Sequence, residues 1–137
     1  MRLGGVMLVS SAVMSTEPSM VPADACASEA AELMRRETVD VLLVVEGQRA
    51  VGVLTAFDLI TGAGTQGADG RAMRVQNLGR PLIEAGLDDD LFEVQQRMLG
   101  LGVEFAVVVD QGRIMGLLSL LQASIALSGP APCAFGG

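Results

Sequence analysis

The residues of this chain best suited to binding chemistry are Thr55 and Asp58, which lie where a predicted strand gives way to a predicted helix. The first turn of a helix has free N–H groups and a partial positive charge, and both favour a phosphate. A hydroxyl at this point can add a donor, and a carboxylate one turn further on can accept from two vicinal ribose hydroxyls. The pair is therefore chemically suited to a phosphate beside a ribose.

The same pair also has a purely structural interpretation. Thr at an N-cap with an acidic residue three positions later resembles a capping box, which stabilises a helix start by roughly 1 kcal/mol without any ligand. Ser119 and Gln122 form a second such pattern, with an amide in place of the carboxylate. Binding and capping both stay open for Thr55 and Asp58, and the second copy lacks the charge that favours binding.

Composition narrows the classes of function. The net charge is −7, which disfavours DNA or RNA as a partner. Histidine, the commonest general base and metal ligand, does not occur in the sequence. Cys26 and Cys133 fit no metal spacing and suit a reducing compartment, and no apolar stretch reaches the ~18 residues of a membrane span. We therefore expect a cytoplasmic protein that is not an enzyme, holds no metal, and binds neither membrane nor nucleic acid.

The elements around these residues occur twice. Gly-Val-Leu-Thr at 52–55 recurs as Gly-Leu-Leu-Ser at 116–119, and the same offset of 64 relates Val44 to Val108 and Met34 to Met98 without a gap. Each copy has apolar residues at helical spacing followed by short β-branched runs, which indicates the order β-α-β-β-α. The predicted elements span 20–21, 25–36, 41–45, 50–54 and 56–60, then 82–83, 89–99, 105–109, 114–118 and 120–126.

This order predicts an α/β fold made of two pseudo-symmetric β-α-β-β-α repeats. We expect the first repeat, with an N-terminal segment and a linker, at 1–66, the second at 67–128, and a loose tail at 129–137. Asp24 and Asp88 are predicted as N-caps or first-turn acids of the two longer helices. Five arginines could supply charge for a phosphate, and the sequence does not choose among them: Arg35, Arg36, Arg74, Arg80 and Arg97.

Four motifs follow one another in the first copy: Val-Met-Ser-Thr-Glu-Pro at 13–18, Glu-Leu-Met at 32–34, Leu-Val-Val at 43–45 and Gly-Val-Leu-Thr-Ala-Phe-Asp at 52–58. The pattern is repeated from Met73 onward. In this order, and present twice over residues 9–127, it resembles a tandem pair of cystathionine-β-synthase-type (CBS) domains. The resemblance implies that the two units pair into a Bateman module and that two modules commonly form a homodimer.

The resemblance also implies a ligand. Such modules bind AMP, ADP, ATP or S-adenosylmethionine in a cleft between the repeats and then regulate an attached or partner protein. By resemblance, Thr55 would contact phosphate and Asp58 the ribose, whereas an apolar slot for adenine would be lined by Val21, Ala23, Val41 and Leu42. Ser119 and Gln122 would occupy the second site. The four slot residues are equally well explained as core.

Two functions therefore stay open. The first is a stand-alone regulatory module that needs no resident cofactor, binds an adenosine-containing ligand and signals to a separate, unidentified effector protein. The second is a ligand-free dimerisation or interaction module, which is favoured by Gln122 and by the bulky Phe105 in the second copy. Both predict a homodimer, because the closing helices are more apolar than lone solvent-facing helices should be: Phe57, Leu59, Ile60, Leu120, Leu121 and Ile125.

Overall fold

The computed structural model describes residues 6–13, 17–63 and 69–129. These residues form two compact units, and each contains one of the expected repeats. The first-repeat unit is Glu17–Leu82, and the second-repeat unit joins residues 6–13 to residues 83–129. Residues 69–82, expected with the second repeat, thus cluster with the first. Most of the expected tail, 130–137, lies outside the described residues.

The first-repeat unit is a three-stranded sheet with helices. Its sheet has the order β1-β2-β3, with β1 parallel and β3 antiparallel to the central strand. The central strand is a continuous apolar run that is buried over its middle three residues, as expected of a strand covered on both faces. The elements are β1 (Met20–Pro22), α1 (Ala27–Glu37), β2 (Val41–Glu46), β3 (Arg49–Thr55) and α2 (Ala56–Asp58), which runs into a π-helical turn at Leu59–Ala63.

The second-repeat unit has the same topology, β4-β5-β6, with the same parallel and antiparallel pairings. The antiparallel register shifts between Val44 and Val45 in one unit and between Val108 and Val109, 64 positions later, in the other. The predicted α/β fold of two β-α-β-β-α repeats is therefore confirmed. The elements are β4 (Ile83–Gly86), α3 (Leu91–Leu101), β5 (Phe105–Asp110), β6 (Arg113–Ser119) and α4 (Leu120–Ser128).

A single helical turn completes the core of each unit. The turn at Val75–Asn77 donates from the Val75 N–H to the Ala25 carbonyl at 2.9 Å, and the turn at Val9–Ser11 donates from the Val9 N–H to the Asp89 carbonyl at 2.9 Å. Both valines are fully buried. Burying a valine contributes about 1.5–3 kcal/mol relative to leaving it exposed, so these short segments are part of the folded units.

The two longer helices begin later than predicted, and this changes their caps. Asp24 and Asp88 are not N-caps, because α1 begins at Ala27 and α3 at Leu91. In α3, Asp90 takes the capping role and accepts from the Phe92 N–H at 3.0 Å. In α1, Cys26 is the N-cap residue, and its own N–H donates to Glu29 Oε1 at 3.0 Å. Within the described ranges, no helix is both long and apolar enough to span a bilayer.

Candidate functional site

The candidate site lies at the junction of β3 and α2. Thr55 ends the strand opposite Val41, and the next amide, that of Ala56, donates to the Asp40 carbonyl at 2.8 Å. The second-repeat unit has the same junction, in which the Leu120 N–H donates to the Glu104 carbonyl at 2.8 Å. The repeat thus reproduces the backbone of the junction in both units, and the side chains decide what each one can do.

Thr55 and Asp58 form a complete capping box. The Asp58 N–H donates to Thr55 Oγ1 at 3.1 Å, and the Thr55 N–H donates to Asp58 Oδ2 at 3.0 Å. The Thr55 hydroxyl also donates to Asp58 Oδ2, at 2.9 Å. A hydroxyl has one proton to donate, so in this arrangement that proton is directed at Asp58.

Asp58 also forms an ion pair with Arg80. Arg80 Nε lies 2.9 Å from Asp58 Oδ1 and 3.0 Å from Oδ2, and the two side chains are 31% and 12% exposed. A carboxylate as buried as that of Asp58 is costly without a compensating charge, and Arg80 provides it. The structure therefore distinguishes Arg80 from the four other arginines that the sequence could not rank.

The backbone of β3 positions Arg80. The Arg80 N–H donates to the Val53 carbonyl at 2.7 Å, and the Val53 N–H donates to the Arg80 carbonyl at 2.9 Å, so Arg80 forms an antiparallel bridge with this strand. A Cβ atom on Gly52 would lie 3.0 Å from the Arg80 carbonyl oxygen. The lack of a side chain at Gly52 therefore allows the backbone at Arg80 to pair with β3. A glycine inside a strand often marks the close approach of another backbone, so Gly52 could have indicated this contact from the sequence.

The other arginines have different surroundings. Arg35 pairs with Glu32 on the exposed face of α1, where its hydrogen bonds lower the pKa of the Glu32 carboxyl. Arg74 donates to the Asp24 carbonyl, three residues before the same helix begins. Arg36 and Arg97 are exposed. A solvated helix surface was the predicted role of Arg35 and Arg36, and their exposure agrees with it.

The predicted adenine-slot residues do not all adjoin Thr55. Val21 pairs with Val44 on β2, three residues along the strand from Val41, which is about 10 Å at ~3.3 Å per residue. The N–H of Ala23 donates to the Val45 carbonyl at 2.8 Å, and its carbonyl accepts from the Gln76 N–H at 3.1 Å. The backbone groups of Ala23 are thus engaged within the unit.

Burial differs along the same four residues. Val21, Ala23 and Leu42 are buried in the core of the first-repeat unit, whereas Val41 is half-buried. Val41 is also the one that pairs directly with Thr55. Of the predicted slot, the structure therefore brings Val41 to the junction and places Val21 and Ala23 further along the sheet.

Two clefts lie on the first-repeat unit. A pocket of about 230 Å³ adjoins Arg80 and is lined in part by Gly52 and Val75. It is smaller than the ~300–1,000 Å³ of a typical ligand pocket. A larger cleft of about 660 Å³ is lined by Val21 and by the charged face of α1. Thr55 and Asp58 line neither of these two clefts.

The second copy lacks both charges of the cluster. The Gln122 N–H donates to Ser119 Oγ at 3.0 Å, and among the described residues only this half of the predicted capping box forms. The single turns at Val9–Ser11 and Val75–Asn77 correspond to each other, so Arg80 corresponds to residues 14–16. These are Met, Ser and Thr, which carry no charge, and they lie outside the described residues.

The described part of the chain contains no group of three or more His, Cys, Asp or Glu residues that could hold a metal ion. Acidic side chains do occur near helix starts, such as Asp89 and Asp90. They are used there as backbone acceptors, for the Gly86 and Phe92 amides respectively. Their role in the fold is therefore to hold the start of α3.

Comparison with known proteins gives consistent matches. Residues 9–63 match the family model of the CBS domain. The CBS domain-containing protein YhcV of Bacillus subtilis (strain 168) is 27% identical over 107 residues, which are 78% of this chain and 76% of that protein. No enzymatic family is indicated by these matches.

Solved structures share the fold over nearly the whole chain. The CBS domain pair of protein MJ0100, in complex with 5′-methylthioadenosine and S-adenosyl-L-methionine, is 20% identical with a TM-score of 0.70, covering 91% of this chain and 98% of that one. The CBS domain of a bacterial CNNM/CorC family Mg²⁺ transporter, in complex with ATP, is 20% identical with a TM-score of 0.75, covering 91% and 89%. Residues 9–63 thus match the CBS domain family model, and the chain has the fold of the CBS-domain pair structures.

Proposed function

We propose that this chain is a regulatory module that binds an adenosine-containing ligand at the β3–α2 junction of its first repeat and signals to a separate partner protein. The observation that carries the proposal is the cluster of Thr55, Asp58 and Arg80. It places a carboxylate, suited to ribose hydroxyls, and a guanidinium, suited to phosphate, within 3.0 Å of each other.

The contrast between the repeats supports a binding role. A capping box alone needs no arginine, and the second-repeat junction folds with an amide, Gln122, in place of the carboxylate. The carboxylate is therefore not a general requirement of the junction. Adenosine-containing ligands are also bound by two CBS-domain structures of this fold, one with S-adenosyl-L-methionine and 5′-methylthioadenosine and one with ATP.

Isothermal titration of the purified chain with AMP, ADP, ATP and S-adenosylmethionine tests the proposal. We expect saturable binding by the wild type and at least about tenfold weaker binding by Asp58→Asn, because the amide offers one acceptor oxygen where the carboxylate offers two. Gln122→Ala in the second repeat is the matched control and should bind as the wild type does. Folded wild-type protein that binds none of the four compounds would exclude the proposed function.

The alternative is a ligand-free dimerisation module, and one observation favours it. Large apolar side chains are exposed on the helices of both repeats. They are Phe57 and Ile60 in the first repeat, and Phe92, Leu99, Leu101, Leu121 and Ile125 in the second. Such residues are typical of an interaction surface. This function predicts a stable dimer whose association does not change when adenosine compounds are added.

A further inference from the structure

The ribose-binding role of Asp58 meets an obstacle in the structure. A carboxylate has about four acceptor positions. Asp58 Oδ2 already accepts from the Thr55 N–H, the Thr55 hydroxyl and Arg80 Nε, and Oδ1 accepts from the same Arg80 Nε. Two vicinal hydroxyls need two acceptor positions, and the guanidinium lies across both oxygens. A ribose that binds Asp58 through both hydroxyls must therefore displace Arg80.

Most of the donors for a phosphate are engaged in the same way. The Thr55 hydroxyl gives its proton to Asp58, and the amides of Ala56 and Asp58 donate to the Asp40 carbonyl and to Thr55 Oγ1. Ionised phosphate oxygens can only accept. Within this cluster, Arg80 is the group that carries a positive charge and a planar set of N–H donors.

These two constraints have one common solution. We propose that Arg80 is a specificity-determining residue that exchanges its partner when a ligand binds: it leaves the Asp58 carboxylate, which then accepts the ribose hydroxyls, and pairs with the phosphate of the same ligand. This inference rests on the proposed function and narrows it. The site selects adenosine ligands that carry a phosphate over adenosine itself and over S-adenosylmethionine.

The selectivity follows from the burial of the pair. Arg80 is two-thirds covered and Asp58 almost nine-tenths covered, so separating them without replacement leaves charges in poorly solvated positions. A phosphate replaces the carboxylate as the partner of the guanidinium. Adenosine brings no anionic group. S-adenosylmethionine has a sulfonium on the 5′ carbon, where AMP has its phosphate, and its carboxylate lies several bonds further out. Both must therefore bind less tightly than AMP.

The test compares AMP with adenosine and with S-adenosylmethionine by isothermal titration at fixed pH and salt concentration. AMP and adenosine differ only in the phosphate. We expect the wild type to bind AMP at least about tenfold more tightly than either other ligand, the effect of one charge-assisted pair. Arg80→Gln keeps an N–H donor near the position of Nε but removes the charge, and should reduce this preference to within about threefold.

Two further variants make the result interpretable. Arg80→Lys keeps the charge without the planar fork and should retain part of the preference for AMP, which gives a second readout if Arg80→Gln does not fold. Arg35→Gln removes an arginine from an exposed ion pair on α1 and should behave as the wild type.

The possible results separate the two proposals. Equal binding of AMP and adenosine by the wild type, or an unchanged preference for AMP in folded Arg80→Gln, overturns the role of Arg80 and leaves the proposed function standing. No binding of any of these three ligands, or of ADP or ATP, by folded wild-type protein overturns both.

Discussion

At the scale of single residues, the cluster of Thr55, Asp58 and Arg80 serves both the fold and the proposed site. The capping box stabilises the start of α2, and the ion pair ties that start to the segment at Arg80. The sequence could identify Thr55 and Asp58 as a pair because they are three residues apart, the spacing of a capping box. It could not identify their partner, because Arg80 is 22 residues from Asp58 and reaches it only through the bridge to Val53.

The contribution of the cap can be measured apart from ligand binding. Thr55→Ala removes the hydroxyl that accepts from the Asp58 N–H, and should lower the free energy of unfolding by about 1 kcal/mol in urea denaturation. Thr55→Ser keeps the hydroxyl and should lose less than half of that. Equal losses in the two variants would show that the methyl group, not the cap, provides the stability.

Acid stability should depend on Glu29. Its hydrogen bond from the Cys26 N–H, with a weaker contribution from the charge of Arg74, lowers the pKa of this carboxyl below its ordinary value of 4.5. A lowered folded-state pKa stabilises the protein above pH 4.5, and this stabilisation is lost as the pH falls through the folded-state value. The melting temperature should therefore fall less between pH 6 and pH 3 in Glu29→Gln than in the wild type. An identical fall in both proteins would contradict this assignment.

At the scale of elements, the central strands could be predicted from the sequence, and the starts of the two long helices were less accurate. The buried apolar runs predicted β2 and β5 correctly, because a short β-branched run flanked by turns has few other ways to bury its side chains. The predicted start of each long helix was two residues too early, since Asp24 and Asp88 looked like better caps than the residues actually used. The local preference of aspartate for the N-cap position therefore did not decide where each helix begins.

A methyl group at Gly52 tests how closely Arg80 must approach β3. The new Cβ atom would lie 3.0 Å from the Arg80 carbonyl oxygen, so we expect Gly52→Ala to lower the free energy of unfolding by about 1–3 kcal/mol. Gly100→Ala is the control, because nothing lies within 4 Å of its Cβ position in α3. It should stabilise the helix by about 0.5–1 kcal/mol. The two substitutions should change the free energy of unfolding in opposite directions, as measured by thermal or urea denaturation. A Gly52→Ala variant as stable as the wild type would show that the bridge can shift.

At the scale of the whole molecule, the chain is two copies of one unit with different surfaces. Helix α1 exposes Ser28, Arg35 and Glu37, and the residues 64 positions later in α3 are Phe92, Leu99 and Leu101, which are also exposed. The repeat therefore predicts the cores of both units but not their outer faces. Association is expected on the apolar helices of the second-repeat unit, where burial of these side chains is favourable.

The homodimer expected from the sequence remains a prediction, and it can be tested on α4. Leu121 is 67% exposed, and Leu121→Arg should convert a dimer to a monomer in sedimentation equilibrium, because a charge would replace an apolar contact. Ala31→Arg on the polar face of α1 should leave the association unchanged. A wild-type protein that is monomeric at all concentrations would contradict this prediction.

The central claim is that the junction of β3 and α2 binds an adenosine ligand, and an NMR titration of ¹⁵N-labelled protein with AMP tests it most directly. The account predicts saturable chemical-shift changes that are largest at the amides of Thr55 and Asp58 and at Arg80 Nε, with the amides of Ser119 and Gln122 unchanged. Saturable changes confined to other parts of the chain, or no changes up to millimolar AMP, would contradict it.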